Sequence, residues 1–186
     1  MAITQQSSIS APRSFIPARF QNWLFEQIDG HVLGLFRLIF GLFMLYECWH
    51  YADVQLIDAG LLAPKILFKY EGFEWLPLLP RPVLQVLLGG MAVGAAMMAL
   101  GAWSRWGGWM FALGQAYFML MEKAYFNNHI YFYTLISVLL TFTDADHFVS
   151  ARGNRGYGAT VPRWQLFILQ LQVIVLYFFG GVAKLA

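Results

Sequence analysis

Apolar runs of bilayer-spanning length recur along the chain, separated by connections that are polar or rich in proline and glycine. A helix needs roughly 20 residues, at about 1.5 Å each, to cross a hydrocarbon core. Five stretches approach that length, near residues 31–50, 83–103, 106–124, 129–146 and 164–186. Ahead of them, "FIPARFQNWLFEQID" (15–29) puts Phe20, Trp23, Leu24 and Ile28 on one side at helical spacing. That pattern predicts a short amphipathic helix lying at the interface. The connection over 51–82 carries prolines at 64, 77, 80 and 82, which break any long helix, while its Leu, Phe and Trp residues keep it near the membrane surface. In the second stretch Gly90 and Gly94 stand at the GxxxG spacing with alanines nearby, the signature of a helix that packs closely on its neighbours. The expected fold class is an all-α integral membrane protein: a bundle of about five transmembrane helices preceded by an interfacial amphipathic helix. Residues 1–29 form the polar tail and that helix, and 30–186 the transmembrane domain.

Composition agrees. Of 186 residues, 59% are hydrophobic and 12% charged, against about 25% charged in a soluble domain, and the mean hydropathy is +0.56. The net charge of +2 and the lack of any basic block argue against a nucleic-acid partner. A single cysteine, Cys48, cannot form an internal disulfide. The first fourteen residues lack the apolar core of a cleavable signal peptide, so insertion is expected to rely on the first membrane helix. With the N-terminus inside, that side holds Arg13, Arg19, Arg105, Arg152, Arg155 and Arg163. The other side holds Lys65, Lys69, Arg81 and Lys123, with Lys184 near its boundary. The basic residues therefore vote for a cytoplasmic N-terminus and a multi-pass topology.

Five alternating spans sort the polar residues by depth. Glu47, His129 and Lys184 fall toward one face, and Arg37, Asp144 and Asp146 toward the other. Lys184, in "FFGGVAKLA", has two readings. It is a lysine snorkelling from a helix end, or an amine in an apolar pocket, where desolvation favours the neutral form able to take a proton. Asn127, Asn128 and His129 also have two: a helix N-cap, or a polar cluster that orients a ligand oxygen, with Tyr133 one turn further on. Arg37 needs an acidic or carbonyl partner, and depth selects Asp144. Glu47 pairs with Lys123 or Lys184 on the same argument. The four histidines occur singly, with no HxxxH spacing, so no metal is expected. No phosphate-binding, dinucleotide-binding or GxSxG motif is present, and no inverted repeat supports a transporter.

The pattern "NNHxYxY…TFxDAxHxxS…VPxW…GxxKL", together with "FRLIFGLFML" in the first span, closely resembles the vitamin K-dependent gamma-carboxylase family. More narrowly it is similar to the HTTM (horizontally transferred transmembrane) domain of bacterial-type homologues, from about residue 30 to the chain end. The resemblance implies that Lys184 is the base that deprotonates vitamin K hydroquinone (a menaquinol or phylloquinol type). His129 and Asn128 would support the quinone oxygen, with Asn127 and Tyr133 also at the ligand. Oxygen then adds on the way to the epoxide, the strong base so formed removes a γ-proton from a peptide glutamate, and the carbanion captures CO2. The implied cofactors are therefore the hydroquinone, O2 and CO2, and the implied partners are membrane lipid, the quinone and a protein or peptide glutamate. Ala183 and Ala186 depart from the family pattern, in which a second lysine and an acidic residue are usual. Family members continue through further spans and a large extramembrane domain, so the chain reads as the N-terminal part of the domain. The alternative is a non-catalytic helix-bundle module that binds a quinone or lipid.

Overall fold

The computed structural model describes residues 17–125, 127–153 and 159–185. Most of the polar tail, Arg13 and Arg155 of the charge count, and the centre of the Gly-rich loop at 154–158 lie outside the described residues. The elements in chain order are α1 (Ala18–Leu24), β1 (Gln27–Asp29), α2 (His31–Asp53), a π-helical segment (Leu56–Leu62), α3 (Arg81–Leu100), α4 (Ser104–Met121), α5 (Asn128–Thr141), β2 (Thr160–Pro162) and α6 (Trp164–Val182). Helices α2 to α6 overlie the five apolar stretches. Three of them, α2, α3 and α6, are long and apolar enough to cross a membrane. The other two are less suited to it: α4 carries Arg105 and Gln115 within 18 residues, and α5, at 14 residues, rises only about 21 Å.

The helices pack in chain order, α2 on α3, α3 on α4 and α4 on α5, while α6 attaches mainly to α5. Missing side chains set the close approaches. A Cβ on Gly41 would lie 2.3 Å from the backbone nitrogen of Ala99, so α2 meets α3 backbone to backbone. Gly94 and Gly107 face each other: a Cβ on Gly94 would lie 2.6 Å from the Gly107 carbonyl oxygen, and one on Gly107 2.5 Å from that of Gly94. Gly94 of the GxxxG pair thus makes the contact, whereas Gly90 has only a Met110 methyl at 4.0 Å. On its opposite side α4 presents Gly108 to Ser137 and Thr141 of α5. The core between the helices is filled by Met44, Met91, Met98, Phe111, Met121 and Ile136, all fully buried.

The segment expected to be one helix over 15–29 is divided. Helix α1 ends at Leu24, and Gln27–Asp29 pairs antiparallel with Thr160–Pro162, Ile28 opposite Val161. Phe20 and Trp23 stack at 5.7 Å, and Trp23 meets Phe167 edge-on at 5.1 Å, so α1 rests on the start of α6. An ion pair of 2.6 Å between Arg163 and Glu26 fastens the same place. Long-range strand pairing of three residues carries no periodic signal, and a helical pattern of four apolar positions masks it. Along the 51–82 connection the backbone is tied to the end of α4. Lys123 donates its backbone N–H to the Phe68 carbonyl at 2.7 Å, and the Tyr117 hydroxyl bridges Leu79 and Pro77.

Helix α6 buries only Gln165 and Leu169, leaving Ile174, Tyr177, Phe178 and Phe179 exposed. The glycine contacts are open to a signed test by thermal unfolding in detergent. Gly41→Ala should lower the midpoint, because its Cβ meets backbone rather than a movable side chain. Gly89→Ala, an exposed helical position with nothing within 4 Å, should raise stability by about 0.5–1 kcal/mol.

Candidate functional site

The C-terminal end of α2 opens onto a cavity of about 540 Å³. Glu47, His50 and Tyr51 of α2 form one wall, Gln115, Phe118 and Met119 of α4 a second, and Asn127, His129, Ile130 and Tyr133 a third. Val54, Leu56 and Leu61 close the side nearest the π-helical segment. The volume lies within the range of small-molecule sites, as does a lining of apolar walls with a few convergent polar groups. A second cavity of similar volume lies between α2 and α3 and shares Tyr51 and Leu56 with the first.

Asn127 is the N-cap of α5, and its Oδ1 accepts the His129 backbone N–H at 3.1 Å. The same oxygen lies 2.7 Å from Nδ1 of the His129 ring. A carboxamide oxygen only accepts, so Nδ1 carries the proton and Nε2 of the neutral ring is left as an acceptor. Of the two readings in the sequence the cap is present, and the same oxygen also meets the His129 ring.

Gln115 is 1% exposed in the middle of the bundle. Its Nε2 donates to the Tyr51 oxygen at 2.8 Å, and its Oε1 has no hydrogen-bond partner. Glu47, Tyr51 and Tyr133 line the same cavity. Glu47 was expected in an ion pair with Lys123 or Lys184, but the four ion pairs among the described residues do not include it. Lys123 stands instead 5.8 Å from the centre of the Tyr70 ring.

Four of the sequence-derived residues, Glu47, Asn127, His129 and Tyr133, therefore share one cavity. Asn128 opens α5 but is exposed and does not line it. Lys184 follows α6, exposed, with its backbone N–H bonded to the Gly181 carbonyl, and it too is absent from the lining. Helices α2 and α6 both leave the β1–β2 sheet, so Lys184 follows the far end of α6 as the cavity follows the far end of α2.

The opposite end of the bundle holds Arg37, fully buried. Its Nη2 donates to the carbonyls of Val149 at 2.6 Å and Phe148 at 3.3 Å, and a longer contact of 3.5 Å reaches Gly34. The expected partner Asp144 is engaged elsewhere. It accepts from Gln165 Nε2 at 2.7 Å and lies 3.5 Å from Arg105. The turn after α5 brings carbonyls, not that carboxylate, to the guanidinium, and Asp146 supplies the nearby negative charge. Burial pushes the Asp146 carboxyl above the usual carboxylate range, while the Arg37 and Arg105 guanidiniums pull it back down. Ser104 donates its hydroxyl to Asp146.

Tyr51 and Gln115 were not singled out in the sequence. The available signal is the one that marked Arg37, a polar side chain inside an apolar run, but a tyrosine and a glutamine raise it less than a charge does. Among the described residues no three His, Cys, Asp or Glu side chains converge as metal ligands.

Compared with known families, residues 25–186 match the family model of the HTTM domain. No solved structure matches the chain.

Replacing Asn127 separates its two tasks. Asn127→Ala should cost about 0.5–2 kcal/mol of stability through the lost cap and release the His129 ring, whereas Asn127→Asp should keep the cap. Chemical denaturation and the NMR tautomer signature of His129 nitrogens report the two effects independently.

Proposed function

Because the chain belongs to the HTTM family, the membrane domain of the vitamin K-dependent gamma-carboxylases, we propose that its cavity binds vitamin K hydroquinone and that the protein takes part in hydroquinone oxidation. Family membership and three apolar helices make it a membrane protein. The observation that carries the binding reading is the meeting of Glu47, Gln115, His129 and Tyr133 on apolar walls in a space of about 540 Å³.

The residues fit such a ligand. A hydroquinone has two hydroxyl donors on a flat apolar ring, and the cavity lining carries acceptors, the Glu47 carboxylate and Nε2 of His129. When bound, the hydroquinone supplies the reducing power for oxygen chemistry, which a side chain cannot. His129 holds one ring hydroxyl through Nε2, with Asn127 fixing the ring's tautomer and angle. Phe118, Met119 and Ile130 exclude water, which strengthens each of these polar contacts.

Proton removal from the hydroquinone belongs to Lys184 in this reading, supported by the "GxxKL" resemblance. A hydroquinone hydroxyl is within reach of an amine base, whereas a glutamate γ-carbon proton is not, so carboxylation of a peptide glutamate depends on the base generated with oxygen. The exposure of Lys184 favours a second reading. In that reading the cavity binds a quinone or lipid without turnover, and the lysine is an interfacial anchor.

Purified protein given vitamin K hydroquinone and oxygen distinguishes the two. Epoxide formation above background that falls by about 10²–10⁴-fold in both Lys184→Ala and His129→Ala supports catalysis. Equal epoxide from wild type and Lys184→Ala removes that lysine from the mechanism. Tight hydroquinone binding with no epoxide from the wild type supports the binding module.

A further inference from the structure

At the end of the bundle that holds Arg37, a pocket of about 420 Å³ opens where the turn between α3 and α4 meets the segment after α5. Trp103, Arg105, Asp146, His147 and Arg152 line it. The charges around it do not balance. Asp146 is the one carboxylate in the lining, and it already accepts from the Ser104 hydroxyl. Against it stand Arg105 and Arg152, together with Arg37, whose guanidinium lies against Gly101 in the pocket wall. Arg37 is fully buried, so it contributes charge to the pocket and no contact. Asp144, outside the lining, meets Arg105 only at 3.5 Å and between partly exposed groups, a pairing of small energy. No Asp or Glu follows Asp146 in the sequence, whereas Arg152, Arg155, Arg163 and Lys184 do. The pocket is left positive.

Among the described residues the guanidiniums of Arg105 and Arg152 have no hydrogen-bond partner. Arg152 is held over the Trp103 ring, 4.5 Å from its centre, which leaves its N–H edge to a ligand. Two such forks suit the oxygens of a phosphate. What stands beside them says where that phosphate comes from. On α4, Trp109 and Leu113 follow Arg105 at intervals of four residues, with Trp106 and Met110 flanking them, and all four apolar side chains are exposed. Phe142, just past α5, meets Trp109 edge-on at 6.2 Å. An apolar stripe thus starts at the pocket and runs along the outer face of α4, where a membrane protein meets acyl chains. Tryptophans at 103, 106 and 109 mark the depth of lipid headgroups. A free phosphate gains nothing from that stripe, whereas a phosphodiester carrying acyl chains fits both parts.

We propose that this pocket binds an anionic phospholipid, with Arg105 and Arg152 on its phosphate and an acyl chain along Trp109 and Leu113. The site stands apart from the α2–α4–α5 cavity and does not depend on what that cavity holds. The lipid gives Arg105, the charge that makes α4 poorly suited to cross a bilayer, a partner at the membrane surface. A zwitterionic headgroup carries its own cation into a positive pocket and is disfavoured; a headgroup with net negative charge is not.

The test is native mass spectrometry of the full chain in detergent, offered equal amounts of dioleoyl phosphatidylglycerol and dioleoyl phosphatidylcholine. The wild type should retain phosphatidylglycerol at least about tenfold over phosphatidylcholine. Arg105→Gln with Arg152→Gln should bring the two lipids within about twofold of each other. Arg152→Gln alone, at an exposed side chain outside every ion pair among the described residues, should lower the preference about threefold and serves should the double variant not fold. Arg163→Gln, which removes a cation already paired with Glu26 at 2.6 Å, should keep the preference and separates this pocket from basic charge in general. A large excess of inorganic phosphate should displace no more lipid than chloride at the same ionic strength. Displacement beyond that of chloride would make the pocket a free-anion site and overturn the lipid reading. Equal retention of the two lipids by the wild type, an unchanged preference in the Arg105 and Arg152 variants, or an equal loss in Arg163→Gln would overturn the site itself.

Discussion

A guanidinium is costly to bury among apolar helices unless acceptors meet it, and the carbonyls gathered on Nη2 of Arg37 tie separate parts of the chain together. The carbonyls come from Gly34 in its own helix and from Phe148 and Val149, more than a hundred residues away. Val149 takes φ +50° to present its carbonyl, a conformation that costs an L-residue roughly 1–2 kcal/mol. Gly101, at φ +69° between α3 and α4, must stay bare, because a Cβ there would collide with the guanidinium. One side chain thus ties together α2, the α3–α4 turn and the segment after α5. The order α2–α3–α4–α5 then follows from glycine-mediated contacts that only these helix positions allow.

The other end of the same bundle obeys the same rule with a different outcome. Gln115 is as deeply buried as Arg37 and, like it, keeps polar atoms without partners, but it borders an open space. The two ends also differ in what surrounds them. Arg37 is enclosed by backbone, whereas Gln115 has Tyr51, Glu47 and the capped His129 within one cavity. Arg37 and the cavity thus stand at opposite ends of the helices.

Much of this was legible in the chain itself, and the rest was hidden for definable reasons. Apolar runs located α2 to α6, because burial of some 20 residues at a time leaves a strong signal. The depth argument brought Glu47 and His129 to one face, and Asn127 was readable as a cap from residue type alone. Four things were not readable. The β1–β2 pairing spans more than 130 residues and three positions, too little for a periodic pattern. Asp144 was chosen for Arg37 by depth, but depth says nothing about which way a turn points its carbonyls. Tyr51 and Gln115 looked like ordinary members of apolar helices, and only the geometry shows that they meet. The placement of Lys184 depends on what packs against α6, whose outer face is largely uncovered among the described residues.

The claim that the α2–α4–α5 cavity is where a naphthohydroquinone sits is tested most directly by photolabelling. A photoactivatable naphthohydroquinone would be irradiated with the detergent-solubilised protein, and the modified peptides identified by mass spectrometry. The account predicts label on peptides containing residues 47–61 and 115–133, displaced by excess unlabelled hydroquinone. Displaceable label confined to the exposed apolar face of α6, with none on those peptides, would contradict it.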